Sequence, residues 1–218
     1  TLCGRIRVVD ALVDPWVRAG AEGALRESAA ALQAEYGFEQ ADMVRWIDGV
    51  IAQTNNLALG DTVARFGADP GRKLRRDDRL IGPLLLARRH RLETPNLVRA
   101  TAAALLYRHP DDAGAVQVAR QIETLGVTQT ARVLCGLDGT EADLVDQIAD
   151  AYRRLPAEAK WAGYAEQAYQ LGWEYERTYK GCGQSVLAAV HDATGLFDKA
   201  AWRGAFEAAT GLAGGIGL

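Results

Sequence analysis

The segment Asp61–Pro83 reads DTVARFGADPGRKLRRDDRLIGP and carries the most specific pattern in the chain. It concentrates positive charge in a protein whose formal net charge is −3. The cations are Arg65, Arg72, Lys73, Arg75, Arg76 and Arg79. Gly67, Pro70 and Gly71 interrupt them, so the segment cannot form one continuous basic helix. Turns at these residues are suited to bring several cations onto one small anion.

The composition excludes several broad classes of function. Of the 218 residues, 49% are hydrophobic and 24% are charged, which is enough apolar material for a buried core. The negative net charge argues against nucleic acid or an anionic membrane surface as a partner. No apolar run approaches the ~20 residues that cross a bilayer. Nothing at the start resembles a signal peptide, since Arg5 and Arg7 interrupt the only candidate apolar stretch, and we expect a cytoplasmic protein.

Cysteine and histidine usage indicates neither a disulfide framework nor a metal centre. Cys3, Cys135 and Cys182 are few and widely spaced, which is typical of a reduced compartment. The three histidines share no spacing with one another or with cysteine that would form a zinc site. We therefore expect no bound metal.

Helix signals occur along almost the whole chain. Asp14-Pro15 is a cap followed by Pro at the first helical position, and Gly37 is a plausible end of that helix. A second helix has the apolar series Met43, Trp46, Ile47, Val50 and Ile51, and it ends at Asn55-Asn56. Asp77 is a candidate cap for the next helix, and Thr94-Pro95 opens one that reaches about Tyr107.

Further helices are predicted at about 111–125, 128–135, 140–154, 184–194 and 198–210. No segment alternates at period two for long enough to predict a strand. The fold class is therefore all-α. A soft domain boundary is expected at Leu155-Pro156, which divides residues 1–155 from an aromatic-rich module at 156–218 in which we expect Trp161 and Trp173 to be buried.

Several motifs from Val8 to Tyr152 recur in the order and spacing of a known family. They are VVDALVDP, AGAEGALRE, AEYGF, the segment Asp61–Pro83, and CGLD. On these motifs the chain resembles the C-terminal helical domain of the mannitol-1-phosphate 5-dehydrogenases, which belong to the polyol-specific long-chain dehydrogenases. The resemblance implies a multi-helical orthogonal bundle.

This resemblance also implies an activity, the NAD-dependent interconversion of a hexitol phosphate and a ketose phosphate. The family's catalytic Lys-x4-Asn-x2-His helix would lie just upstream of Gly4, and its Rossmann domain would lie further upstream. Neither is present in residues 1–218, which open at Thr1 without an initiator Met, as a fragment would. We therefore expect this chain alone to supply no catalytic residue, to hold no cofactor and to be inactive.

Within the resemblance, Arg65 matches the Arg of the DTxxR motif and Lys73 matches the Lys eight residues later, and both bind the polyol in the wider family. Arg72 lies beside Lys73 and is suited to hold a substrate phosphate, because guanidinium groups make bidentate contacts with phosphate. Arg75, Arg76 and Arg79 are interpreted as surface partners of Asp77 and Asp78 instead.

The tail from about Trp173 to Leu218 resembles the opening half of a redox family named for its C-GCAxxG-C-C pattern. The matching residues are GCGQSVL at 181–187 and GLAGGIG at 211–217. That resemblance makes Cys182 a possible redox thiol, with packing as a small apolar residue the alternative. The glycines of 211–217 follow a helix, so we do not interpret them as a dinucleotide loop.

Three functional hypotheses follow from the sequence. The first is the substrate-domain portion of an NAD-dependent polyol-phosphate oxidoreductase, acting on mannitol 1-phosphate or fructose 6-phosphate together with an N-terminal Rossmann domain. The second is a non-catalytic helical binding or scaffold module with a thiol-redox tail. The third is a truncated product without activity of its own.

Overall fold

The computed structural model describes residues 5–179, 182–196 and 198–210, and almost all of their regular structure is helical. The helices are α1 Val8–Val13, α2 Pro15–Tyr36, α3 Gln40–Thr54, α4 Val63–Gly67, α5 Pro70–Lys73, α6 Ile81–Arg89, α7 Pro95–Leu106, α8 Ala113–Leu134, α9 Ala142–Tyr179, α10 Cys182–Thr194 and α11 Lys199–Thr210. Two short 3-10 helices lie at Leu57–Leu59 and Gly139–Glu141.

The all-α prediction is confirmed. The described residues contain no strand, only an isolated antiparallel bridge between Arg7 and Thr62. None of the helices in the described part of the chain combines the length and the apolar character that a bilayer crossing demands. The chain divides into two compact units, one ending at Pro156 and one starting at Ala157.

Local capping signals predict α2 to the residue. The Asp14 carboxylate accepts hydrogen bonds from the backbone N–H groups of Trp16 and Val17 at 3.0 and 3.2 Å. Pro15 is the first helical residue, and Gly37 ends the helix in the left-handed region at φ 71°. These groups satisfy backbone donors and acceptors that a helix leaves open at its ends, so sequence alone fixes both ends.

Two helix boundaries differ from prediction, and one predicted break is confirmed. Asp77 does not cap α6, whose N-cap is Leu80 without a side-chain hydrogen bond. The predicted break between helices at 111–125 and 128–135 is confirmed, because Gly126 has non-helical backbone angles (φ 74°, ψ 161°) and kinks α8 there. Helix α9 continues past the predicted end at 154 and through Pro156, with Leu155 and Ala159 buried on either side. Burial of flanking apolar side chains there outweighs the one hydrogen bond that Pro cannot donate.

The core of the first unit is built largely from α6 to α9 together with the chain just before α6. Its fully enclosed side chains include Ile81, Leu84, Leu105 and Leu144. Leu74, inside the basic segment, is 0% exposed as well. Leu74 and Ile81 flank Arg75, Arg76 and Arg79 in the sequence, and both are fully buried. The most charged segment of the chain is therefore also anchored in its core.

Helix α2 packs against α6 and α7, and one carboxylate joins it to α7. Glu27 Oε1 accepts from the backbone N–H and the side-chain amide of Asn96 at 2.9 and 2.7 Å, and Oε2 accepts from the Leu97 N–H at 2.7 Å. Gly23 makes room for this contact, since a Cβ there would lie 2.4 Å from Asn96 Cγ. The AGAEGALRE motif thus caps α7 from a neighbouring helix.

We predict that Glu27→Ala lowers the free energy of unfolding by about 1–2 kcal/mol, because open N–H groups at the start of α7 lose their acceptor. Urea unfolding followed by circular dichroism measures this change. Glu22→Ala is the matched control on the same helix. Glu22 pairs with Arg18 and Arg26 on the surface of α2, so its loss should cost under about 0.5 kcal/mol. Equal losses in the two variants would contradict the capping role.

Candidate functional site

The basic segment folds into α4, α5 and the turn that joins them. Asp69 lies in the left-handed region at φ 54°, which is uncommon for a residue with a side chain. Its carboxylate accepts from the Arg72 N–H at 3.2 Å and caps α5, and Pro70 is the first helical residue. The turn is held from outside by Asp112, whose Oδ2 accepts from the Asp69 N–H at 2.8 Å.

Asp112 is a junction between α5 and α8, because its Oδ1 also accepts from the Ala115 N–H at 3.0 Å. Burial pushes the pKa of Asp112 upward, but the backbone N–H groups of Ala115, Asp69 and Gly114 outweigh it, so the pKa is lowered. The carboxylate is thus a stable anion that positions the turn.

Two side chains hold the carbonyl oxygens of α4. The Tyr107 hydroxyl donates to the Ala64 carbonyl at 3.1 Å, and the Lys73 ammonium donates to the Phe66 carbonyl at 2.6 Å. The Tyr107 ring also covers Gly67, where a Cβ would lie 2.3 Å from Cε2. A helix as short as α4 is not stable alone, so these contacts fix its position.

Lys73 is mostly buried, with 9% of the residue exposed. Burial lowers its pKa first, and the nearby charges of Arg79 and Arg72 lower it further, against the opposing effect of Asp69 and Asp112. One of its three N–H donors is used by the Phe66 carbonyl, which leaves two for other acceptors.

Arg65 presents its guanidinium to solvent from α4. Its side chain is 75% exposed and pairs with Asp61, four residues earlier. The backbone below it is anchored, since the Val8 N–H donates to the Asp61 carbonyl at 3.0 Å and the Val63 N–H donates to the Ile6 carbonyl at 2.8 Å. Phe66 follows Arg65 in α4, and its carbonyl accepts a hydrogen bond from the Lys73 ammonium. Lys73 therefore reaches the helix that carries Arg65.

Arg72 lies between two carboxylates. Its Nε is 3.2 Å from Asp69 and its Nη1 is 3.3 Å from Asp78, both at the long end of hydrogen-bond distances. The side chain is 43% exposed, so it remains accessible on one side. A phosphate at this position would compete with both acids for the guanidinium.

The remaining three arginines divide differently from the prediction. Arg79 does pair with Asp78, at 3.1 Å. Arg75 is exposed, and the described residues offer it no ion-pair partner. The prediction for Arg76 is wrong, because its guanidinium binds both oxygens of Glu141, at 3.1 and 2.6 Å, and the Gly136 carbonyl at 2.7 Å.

The Arg76–Glu141 pair fastens the basic segment to the CGLD turn. Glu141 is 7% exposed, and its Oε2 also accepts from the Asp138 N–H at 2.9 Å in a capping box. The hydrogen bonds from Arg76 hold the pKa of Glu141 below its usual value. Sequence reasoning missed Glu141, although the spacing Asp138-x-x-Glu141 is a recognisable capping signal.

The cysteines differ in what the structure says of them. Cys135 is fully buried, and burial raises the pKa of its thiol to about 12, so it packs as an apolar residue. Cys182 begins α10, but its side chain lies outside the described residues. The glycines of 211–217 also lie outside them.

Trp161 and Trp173, expected to be buried, are each 60% exposed, so that expectation is wrong.

A comparison with known protein families identifies one match. The model of the family described as mannitol dehydrogenase C-terminal domain matches residues 1–168. The match covers more than three quarters of the 218 residues and includes all of α1 to α8.

We predict that Gly67→Ala destabilises the protein by about 1–3 kcal/mol, because the added methyl overlaps the Tyr107 ring and displaces α4. Thermal unfolding measures the loss. Gly49→Ala in α3 is the control, since no atom lies within 4 Å of its Cβ position, and it should stabilise by up to about 1 kcal/mol. A harmless Gly67→Ala would show that α4 is not held by Tyr107.

We also predict that the Arg76–Glu141 pair makes stability depend on acid pH. The folded pKa of Glu141 lies below its ordinary value of 4.5. Its contribution is therefore present above pH 4.5 and is lost as the pH falls through the lowered folded pKa. Glu141→Gln should cost about 1 kcal/mol at pH 7, a small figure because Arg76 is half-exposed.

Urea midpoints at pH 7 and pH 3.5 test this prediction, and the difference between wild type and Glu141→Gln should shrink at the lower pH. Asp150→Asn removes a fully surface pair with Arg153 and should change stability by less than about 0.5 kcal/mol. A Glu141→Gln loss that is the same at both pH values would contradict the linkage.

Proposed function

The chain belongs to the family of mannitol dehydrogenase C-terminal domains, and we propose that it is the substrate-binding part of an NAD-dependent polyol-phosphate oxidoreductase. The proposed substrates are mannitol 1-phosphate and fructose 6-phosphate. The observation that supports the proposal is the contact of the Lys73 ammonium with the carbonyl of Phe66, the residue that follows Arg65 in α4. These are the two positions that match the family's polyol-binding motif.

Arg65 is the group best placed to meet a phosphate. Its guanidinium is exposed, its backbone is anchored on both sides, and its fork of donors suits two oxygens of a phosphate at once. Asp61 holds the side chain in one orientation, which reduces the entropy lost when a ligand binds.

Lys73 is proposed to bind a substrate hydroxyl. Its ammonium is fixed by the Phe66 carbonyl, and its two remaining N–H donors suit neutral oxygen acceptors. Burial and the charges of Arg79 and Arg72 lower the pKa of Lys73, so a ligand with another positive charge would bind poorly there. An anionic or hydroxyl-bearing ligand would be favoured. Arg72 would then contribute to phosphate binding by exchanging its long contacts with Asp69 and Asp78 for shorter ones.

The described residues do not fit a dinucleotide. A nicotinamide cofactor is held by a glycine loop between a strand and a helix, and the part of the chain that the structure describes contains no strand. In our proposal a separate Rossmann domain holds the cofactor, and the catalytic Lys-Asn-His helix comes from outside residues 1–218. The role of this chain is to bind and orient the polyol phosphate, so residues 1–218 alone are expected to bind weakly and not to turn over.

We predict that Arg65→Gln weakens the binding of mannitol 1-phosphate by about tenfold or more, because a charge-assisted pair of hydrogen bonds to phosphate is lost. Isothermal titration at millimolar ligand measures this, with fructose 6-phosphate as the second ligand. Arg75→Gln is the matched control, since it removes the same charge from an exposed arginine of the same segment. It should change affinity by less than about twofold, as expected for a solvent-screened charge that does not contact the ligand.

Titration with unphosphorylated mannitol separates the contribution of the phosphate to binding from that of the polyol. Arg72→Gln should weaken mannitol 1-phosphate more than mannitol if Arg72 contacts the phosphate. An absence of saturable heat with both phosphates would contradict the proposed substrate class. Equal effects of Arg65→Gln and Arg75→Gln would show that the segment acts only through its net charge.

A further inference from the structure

The second unit contains a cavity that the proposed function does not use. It has a volume of about 510 Å³ and lies between α9 and α10, with its walls formed by residues 165–176 of α9 and 185–190 of α10. Pockets for small organic molecules commonly measure about 300–1,000 Å³. The walls are largely apolar, and the large side chains Tyr169, Trp173 and Val186 are each 60% exposed at them.

The spacing of the helix residues explains why the cavity exists. Tyr169, Gly172, Trp173 and Glu176 occupy positions i, i+3, i+4 and i+7 of α9, so they share one face. Gly172 has no side chain to fill this face, and its Cβ position is 3.7 Å from Ala189 Cβ on α10. The two helices therefore approach closely at Gly172, while the larger neighbours leave space beside it.

A buried hydroxyl lies in the wall of this cavity. Ser185 is 2% exposed, and within the described residues its Oγ has no hydrogen-bond partner. Buried hydroxyl groups are almost always paired, because an unpaired one loses its bond to water without compensation. Rotation about the Cα–Cβ bond would turn this hydroxyl towards the cavity that its own residue lines.

The charges of the wall restrict what can occupy it. Among the described residues that line the cavity none is a lysine or an arginine, and Glu176 is the one acid of this set. Glu176 already has an interaction of its own. An anionic group would find no positive partner and would lose hydration on entry. A neutral molecule meets no such cost.

We propose that this cavity binds a neutral, ring-containing apolar molecule that carries one hydrogen-bonding group. Its rings pack against Trp173 and Tyr169, and its polar group pairs with the Ser185 hydroxyl. This site is separate from the basic segment in sequence and in chemistry, and it does not depend on the proposed polyol-phosphate activity.

The test uses the 218-residue chain and N-phenyl-1-naphthylamine, a neutral aromatic amine whose fluorescence rises in apolar surroundings. We expect saturable enhancement with one molecule bound per chain. Gly172→Leu fills the cavity and should weaken binding by about tenfold or more. Gly163→Leu is the matched control on α9, because Gly163 does not line the cavity and no atom lies within 4 Å of its Cβ position.

Two further variants keep the test sharp. Gly172→Ala adds a single methyl in ordinary contact with Ala189, so it should fold normally and weaken binding by an intermediate amount. Ser185→Ala should weaken binding about two- to tenfold, as the loss of one hydrogen bond predicts. Circular dichroism confirms that each variant is folded.

Three results would overturn the proposal. One is the absence of saturable enhancement in wild type, and another is an equal loss in Gly163→Leu and Gly172→Leu. The third is a concentration-dependent dimer in sedimentation velocity that Gly172→Leu abolishes, without any binding of the probe. That result would make the exposed Trp173 and Tyr169 a contact between two copies of the chain.

Discussion

The hydrogen bond from the Lys73 ammonium to the Phe66 carbonyl is the contact on which the arrangement of the basic segment depends. It joins α5, which is anchored by the buried Pro70 and Leu74, to α4, which is too short to be stable alone. A buried ammonium loses much of its hydration, so its contacts must be well formed to offset that loss. The position of Arg65, one residue before Phe66, follows from it.

The six cations of the segment consequently have different roles, although the sequence presents them as one basic cluster. Lys73 and Arg76 both make contacts that hold the segment in place, the first to the Phe66 carbonyl within the segment and the second to Glu141. Arg72 and Arg79 are held by neighbouring aspartates, and Arg65 and Arg75 are the most open to solvent. The number of cations in a sequence therefore overestimates how many can bind an anion, because some of them are paired with groups of the protein itself.

The features that could be predicted from the sequence are those that depend on residues close together in the chain. Asp14-Pro15 and Gly37 give both ends of α2, since a cap satisfies groups within three or four positions. The pairing of Arg76 with Glu141, 65 residues later, could not be read from composition or periodicity. The path of α9 through Pro156 and the exposure of Trp161 depend on tertiary packing, which local propensity does not contain. The motif order predicted the family, which is confirmed, and it made Arg65 and Lys73 candidate substrate contacts, but it did not predict that Lys73 would be buried.

The family match and the two structural units do not end at the same residue. The match stops at residue 168, inside α9, whereas the units divide at Pro156. Helix α9 therefore starts in residues that the family explains and continues into residues that it does not. The exposed aromatic residues Tyr169 and Trp173, and all of α10, fall beyond the match. A ligand in the cavity would remove part of the exposed surface of Tyr169 and Trp173 from water, which is favourable for apolar side chains. The proposed polyol-phosphate site and the proposed ligand site in the apolar cavity involve different parts of the chain. A result that contradicts one of them therefore leaves the other unaffected.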